Sequence, residues 1–385
     1  MNAGRSALAP RSDFPVLEEV VYLNTGSIGL ESLPVQRAGE ELGRQIAGRG
    51  TVGFDDEIEK RVGDVPRAAV ARLLGADPDD VAVVTHATEA LCQVAWWLRP
   101  GEGKNVVSAD LEFPSVTYPW LRIARDTGVE VRLAPALDDP ASFSLDTIAA
   151  AVDEHTEVIC VSHVQYATGH RLDPAGLVEL ARSVGATLVL DATQSAGVVP
   201  LDAPGLGVDV VVSAGYKWLC SAPGAGICYL RRELWEQLDP LFVGWKSTED
   251  AIAFDARTIP LANAARRLEY STPSYAAGAA LTAAIDYLLD LGIENALAHD
   301  LALGGELRSG LEQLGAEVLT PAEGDGRAGI VIARFPGREG PDVAARLADA
   351  GVIVSPRLGA VRFSLHVFND STDVERALAA LGEIL

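Results

Sequence analysis

Cysteine is scarce in this chain of 385 residues: there are four, Cys92, Cys160, Cys220 and Cys228. No two of them form a CxxC pair, so neither a zinc site nor a disulfide framework is expected, and no metal is assigned. No run of 18 apolar residues occurs, so no transmembrane helix is expected. The stretch from Met1 to Pro15 lacks the apolar core of a signal peptide. Positive charge is in short supply, with 31 Lys and Arg against 54 Asp and Glu and a net charge of −23. That balance argues against nucleic acid or an anionic membrane as the main partner. Internal repeats and low-complexity linkers are also missing. What is present is ordinary for a folded chain: 48% hydrophobic and 22% charged residues, which excludes a disordered protein. A soluble, cytoplasmic globular protein is expected, with one large domain and a smaller partner.

Short apolar runs alternate with helical patterns through the middle of the chain. Runs at 81–85, 105–108, 129–133, 157–162, 187–190, 208–213 and 226–231 read as strands. Helical stretches intervene near 89–99, 116–126 and 174–184. This alternation predicts an α/β fold with a mainly parallel sheet flanked by helices. The runs are apolar at nearly every position, as strands covered on both faces should be. A long Ala- and Leu-rich helix is expected over 274–289 and a second over 294–314. After them come strand-like 329–334, a helix over 340–350, strand-like 361–365 and a final helix over 373–384. The expected organisation is an N-terminal segment 1–20, a large domain 21–270 and a smaller α+β domain 271–385.

Ligands of such sheets bind beyond the carboxyl ends of the strands, and three chemically unusual groups fall there. After the first run, His86-Ala87-Thr88-Glu89 opens a helix, where free N–H groups and the dipole favour a phosphate; an ordinary cap by Thr85 or Thr88 is the alternative. Asp191 follows the run at 187–190. A carboxylate there is costly unless paired, and it suits a protonated ring nitrogen as well as it suits a turn cap. Lys217 lies between the run at 208–213 and the apolar pair Trp218-Leu219. Desolvation would lower its pKa and make it a better amine nucleophile for Schiff-base chemistry, the alternative being a snorkelling surface lysine. An imine-forming lysine, a ring-nitrogen partner and a phosphate cradle together are the equipment of pyridoxal 5'-phosphate.

At these residues the chain resembles the class V aminotransferase branch of the fold-type I pyridoxal phosphate enzymes. The likeness runs from Val21-Tyr22-Leu23-Asn24 to the last helix. It is most specific at Gly215-Tyr216-Lys217-Trp218-Leu219, with Gly224 and Gly226. Ala87-Thr88-Glu89-Ala90-Leu91, Ser162-His163-Val164, Asp191-Ala192-Thr193-Gln194, Ser271-Thr272-Pro273 and Val361-Arg362-Phe363-Ser364 follow the same family order. The resemblance implies that Lys217 holds the cofactor and moves the Cα proton, and that Asp191 keeps the ring nitrogen protonated. Gln194 and His163 are placed near the ring hydroxyl oxygen, His163 at a position where relatives often have Asn. Phe113 stacks on the ring, the alternative being a core aromatic. Ala87, Thr88 and Tyr216 serve the phosphate, and Thr272 reaches the phosphate of a neighbouring subunit, which implies a homodimer with shared active sites. Arg362 grips the substrate carboxylate with a bidentate fork, with Asn24 and Trp245 on the substrate side. Tyr216 stands where relatives commonly have His, and Ala214 where many have a phosphate-binding Ser.

The resemblance leaves the reaction open. Cysteine desulfurases of this branch carry a sulfur-accepting Cys on a loop just before the carboxylate-binding Arg. Here residues 352–360 contain none. Elimination with C–S cleavage, transamination, α-epimerisation and a kynureninase-like hydrolysis all remain, and fold and cofactor do not choose among them. A lyase acting on a cysteine-conjugate type of amino acid is favoured, with transamination next. A cofactor-free binding module is the non-enzymatic alternative, disfavoured because Lys217 and Asp191 are both present.

Overall fold

The computed structural model describes residues 6–50, 52–322 and 326–385. All seven apolar runs form strands of one sheet. Its order across is Val81–Val84, Gly226–Leu230, Val210–Ala214, Thr187–Asp191, Thr156–Ser162, Asn105–Ala109, Glu130–Ala134. Every neighbouring pair is parallel except the two that involve Gly226–Leu230. The continuous apolar character follows from side chains alternating between two covered faces. Ile159, Val161, Leu188, Leu190 and Val211 enter one core. Val158, Cys160, Val189, Val210 and Val212 enter the other.

Helices Ala87–Leu98, Pro114–Thr127 and Pro174–Val184 are among those that cover the sheet, each starting and stopping on local signals. Pro174–Val184 begins at Asp173, whose carboxylate accepts from the N–H groups of Ala175 and Gly176, and ends in left-handed Gly185. Pro114 opens its helix and Gly128 closes it in the same manner. Two helices outside the sequence-based expectation, Leu33–Arg49 and Asp56–Leu74, pack against Tyr275–Leu291.

The C-terminal unit is a four-stranded antiparallel sheet, in the order Ser355–Arg357, Ala360–Ser364, Ile330–Arg334, Glu317–Val318. Helices Ile293–Gln313, Gly340–Asp349 and Ser371–Ile384 pack with it. Neither residue 21 nor residue 271 divides the packing. Val21–Tyr22 pairs in parallel with Val352–Ile353, and Val21 and Leu23 are buried in the C-terminal core. Conversely, Leu281, Ile285 and Leu288 of Tyr275–Leu291 belong to the core of the large sheet. Among the described residues no single helix is long and apolar enough to cross a membrane.

Candidate active site

Four strands of the large sheet, three of them adjacent and the fourth set off by Gly226–Leu230, deliver side chains to one cleft at their carboxyl ends: His86, Ala87 and Thr88; Ser162 and Tyr166; Asp191, Thr193 and Gln194; Ala214, Tyr216 and Lys217. Phe113 and Ser115 complete the lining. The three unusual groups of the sequence therefore meet.

Lys217 is buried. Its Nζ lies 5.4 Å from the Phe113 ring centroid and 5.9 Å from that of Tyr216. It makes no hydrogen bond or ion pair among the described residues. Burial, set against the charge of Asp191 and reinforced by Arg362 and Arg357, brings the amine down to about 8. Asp191 ends its strand enclosed, and burial raises its pKa, opposed by the Thr193 hydroxyl and backbone N–H (2.8 Å) and by the charge of Lys217. Behind it is Glu112, which sequence reasoning passed over. Glu112 accepts from the Ser162 N–H at 2.7 Å and from its hydroxyl. Burial, opposed by the Ser162 bonds and assisted by the Asp191 charge, lifts it to about 7. The available signal was a Glu between the apolar Leu111 and Phe113.

Helix Ala87–Leu98 opens at the cleft. Its cap is His86, whose Nδ1 accepts from the Glu89 N–H at 3.0 Å, and not Thr85 or Thr88. The N–H groups of Ala87 and Thr88 are those a helix leaves without intrahelical acceptors, so they face the cleft ready for an anion. The Thr88 hydroxyl is 2.8 Å from that of Ser115. Ser213 does not contribute: its hydroxyl is directed to the carbonyls of Ala214 (3.1 Å) and Ala192 (3.4 Å). Phe113 is 45% exposed and sits edge-on to Tyr166 at 5.5 Å, so it is a cleft wall and not a core aromatic.

Beside the cleft, the N-terminal loop and the C-terminal sheet come together around Arg362. Gln194 donates to the Gly26 carbonyl at 3.0 Å and accepts from Trp218 Nε1 at 2.7 Å. Gly26 must be glycine, because a Cβ there would lie 2.8 Å from Ser364 Oγ and 3.1 Å from Arg362 Cζ. The loop carrying Asn24 and Ser27 thus closes onto Arg362. Arg362 is 1% exposed. It donates to Ser27 Oγ at 2.7 Å and to the Tyr166 carbonyl at 3.1 Å. Its Nε and Asn24 Oδ1 are buried without partners. Burial, with the charge of Arg357, brings Arg362 down to about 9.

Asn24 and Arg362 stand outside the cleft lining, Arg362 touching it at the Tyr166 carbonyl, and three further expected residues lie elsewhere. His163 does not line the cleft. Its main chain continues the pairing beside Asp191, and its side chain turns away to Ser195 Oγ, 3.0 Å from Nδ1. Burial drops it to about 3, so the ring is neutral. Tyr166, three residues on and not singled out by sequence, occupies the cleft instead. Thr272 is exposed in a neighbouring hollow with Thr85, Glu89 and Gly224. Trp245 packs between Phe254, at 6.0 Å between centroids, and Lys246.

The residues fit the cofactor expected from the sequence. An amine without a hydrogen-bond partner among the described residues, a carboxylate at a strand end, an aromatic wall and a helix N-terminus stand in one hollow.

The sequence profile described as Aminotransferase class-V matches residues 45–377. An uncharacterized aminotransferase, YcbU of Bacillus subtilis (strain 168), is 29% identical over 96% of this chain and 95% of its own. The apo structure of a cysteine desulfurase from Thermococcus onnurineus NA1 superposes with a TM-score of 0.88 at 26% identity, over 97% of this chain and 96% of that one. The cystine C-S lyase C-DES, in complex with its reaction product cysteine persulfide, has the same fold: TM-score 0.89 at 23% identity, covering 96% and 99% of the two chains.

Proposed function

Since this chain belongs to the class V aminotransferase family and is a pyridoxal phosphate-dependent enzyme, we propose that it is a C–S lyase acting on cysteine conjugates. The observation that carries this reading is the hairpin before Arg362. It places Arg357, and no thiol, beside the substrate side of the cleft. Cys160 and Cys228 are core residues, and Cys220 is buried behind the Lys217 turn. With no cysteine lining the cleft among the described residues, sulfur has no acceptor there and leaves on the substrate's own fragment.

When bound, pyridoxal phosphate supplies an imine link to the substrate amino group and a ring that accepts electrons from Cα. The chain does the rest. Arg362 takes the α-carboxylate in its fork, with Ser27 and the Tyr166 carbonyl fixing the guanidinium plane. Asn24 and Gln194 border the same space. The Lys217 amine, neutral above about pH 8, removes the Cα proton and delivers it to the departing sulfur. The Cβ–S bond breaks with its electrons on sulfur. The thiol and a three-carbon enamine leave, and water converts the enamine to pyruvate and ammonium. Asp191 would hold the ring nitrogen of the bound group, where its carboxylate would favour the protonated ring.

The active unit in this proposal is a homodimer. Thr272 and Trp245 lie outside their own chain's cleft, on a face that also exposes Phe242, Phe254 and Ile259. The test is a panel of S-substituted cysteines and ordinary amino acids with products identified by mass spectrometry. Thiol with pyruvate supports the lyase. Conversion of the cofactor to its amine form, reversed by a keto acid, establishes transamination instead.

A further inference from the structure

Arg357 and Arg362 are held together by a tight hairpin. Strands Ser355–Arg357 and Ala360–Ser364 pair antiparallel, Arg357 opposite Ala360. The two turn residues Leu358 and Gly359 both have left-handed φ, 49° and 73°, the geometry of a two-residue turn matched to strand twist. A leucine in that conformation is uncommon, so the turn is held rather than relaxed. The hairpin brings both guanidinium groups to one oxygen: Arg362 Nη2 is 2.7 Å from Ser27 Oγ and Arg357 Nη2 is 3.4 Å from it.

No carboxylate pairs with either arginine among the described residues. Arg357 otherwise donates to the Pro356 carbonyl at 2.6 Å, and Arg362 leaves its buried Nε without an acceptor. In a chain with 54 acidic residues, other arginines packed into the fold do reach an acid, as Arg67, Arg132, Arg231 and Arg308 show. Two like charges sharing a serine in a partly buried cleft repel, and a single α-carboxylate neutralises one of them. Arg357 is the less buried of the two, toward the opening. Its charge, like that of Arg362, reaches Lys217.

We propose that the substrate is a dicarboxylic amino acid: Arg362 takes the α-carboxylate and Arg357 a second carboxylate on the group attached through sulfur, as in an S-(carboxyalkyl)cysteine. The proposal rests on this cleft being the amino-acid site and adds the class of side chain.

The test uses the cofactor-loaded enzyme and α-methyl amino acids, which have no Cα proton to lose, so that binding is read from the absorbance change without turnover. α-Methylglutamate and its neutral isostere α-methylglutamine are compared. The expected result is a preference of tenfold or more for α-methylglutamate, falling to near one in Arg357→Gln. Equal binding of the two by the parent enzyme overturns the proposal. So does a preference that survives in the variant, because Arg357 would then serve the α-carboxylate or neither. Retention of the cofactor absorbance band shows that the variant is folded and loaded. Turnover separates this inference from the lyase reading. Faster thiol release from S-(2-carboxyethyl)cysteine than from S-propylcysteine supports both. Equal release keeps the lyase and overturns the dicarboxylate. Selective binding with no thiol released keeps the dicarboxylate and overturns the lyase.

Discussion

Two acid–base pairs flank the Lys217 turn, one bordering the cleft and one enclosed, and they are built to opposite ends. Asp191 and Lys217 border open space, and the amine has no hydrogen-bond partner among the described residues. Asp300 and His366 are wholly enclosed. His366 Nδ1 is 3.2 Å from Asp300 Oδ2 and Nε2 is 3.0 Å from the Trp218 carbonyl, so both ring nitrogens face acceptors. Burial alone would lower His366, but Cys220 and Asp300 overcome it and raise it to about 10. The ring is an imidazolium at neutral pH and donates from both nitrogens. It fastens the segment after Arg362 to the turn that carries Lys217. The same residue types thus make a reactive site where partners are withheld and a brace where they are supplied.

The largest effect belongs to Lys217→Ala, which is expected to leave less than about 10⁻⁴ of the turnover. It should also abolish the pyridoxyl adduct found by mass spectrometry after borohydride reduction. An adduct on another lysine would place the reactive amine elsewhere. Asp191→Ala is expected to lower kcat by about 10²- to 10³-fold, as loss of a preorganised charge does, while some cofactor stays bound. Asp300→Ala should act differently. Stranding an unpaired imidazolium costs about 3–5 kcal/mol, read as a lower urea midpoint, with turnover per folded molecule changed far less than in Asp191→Ala. If Asp300→Ala matched Asp191→Ala in kcat and left the midpoint alone, the contrast between site and brace would break. The smallest effect is one of pH. Capture of added cofactor by the apo protein, followed by absorbance, should accelerate as pH rises through about 8, where Lys217 loses its proton, and not near its usual 10.5.

The comparison also explains what was legible in the sequence. Strand ends are visible as breaks in apolar runs, so Lys217, Asp191, Thr88 and the seven-strand sheet could be read directly. Arg362 could be read because it interrupts an apolar strand. His163 was misplaced because sequence gives the end of a strand but not which way the next side chain turns. The pairing of the 163 main chain beside Asp191 sends that ring to Ser195 and leaves the cleft to Tyr166. The brace was invisible because Asp300 lies within a helix that reads as an ordinary amphipathic one, 66 residues before His366. Long-range pairing leaves no local periodicity. The strand Val21–Tyr22 escaped for the same reason, its partner being more than 300 residues away.

That distant pairing has a consequence for synthesis. Asn24 bridges to Ser364, Leu23 receives the Ser364 N–H on its carbonyl, and Ala9 donates to the Val367 carbonyl. A ribosome makes the cofactor face first, since Thr88, Asp191 and Lys217 all emerge before residue 220. The loop that steadies Arg362 emerges earlier still, yet it has nothing to pair with until residues 352–367 are out. For well over half of translation the early segment is an unpaired strand edge, a species prone to wrong associations. The setting of Arg362 is therefore the last part of the enzyme to come into being, although the loop that steadies it is among the first made.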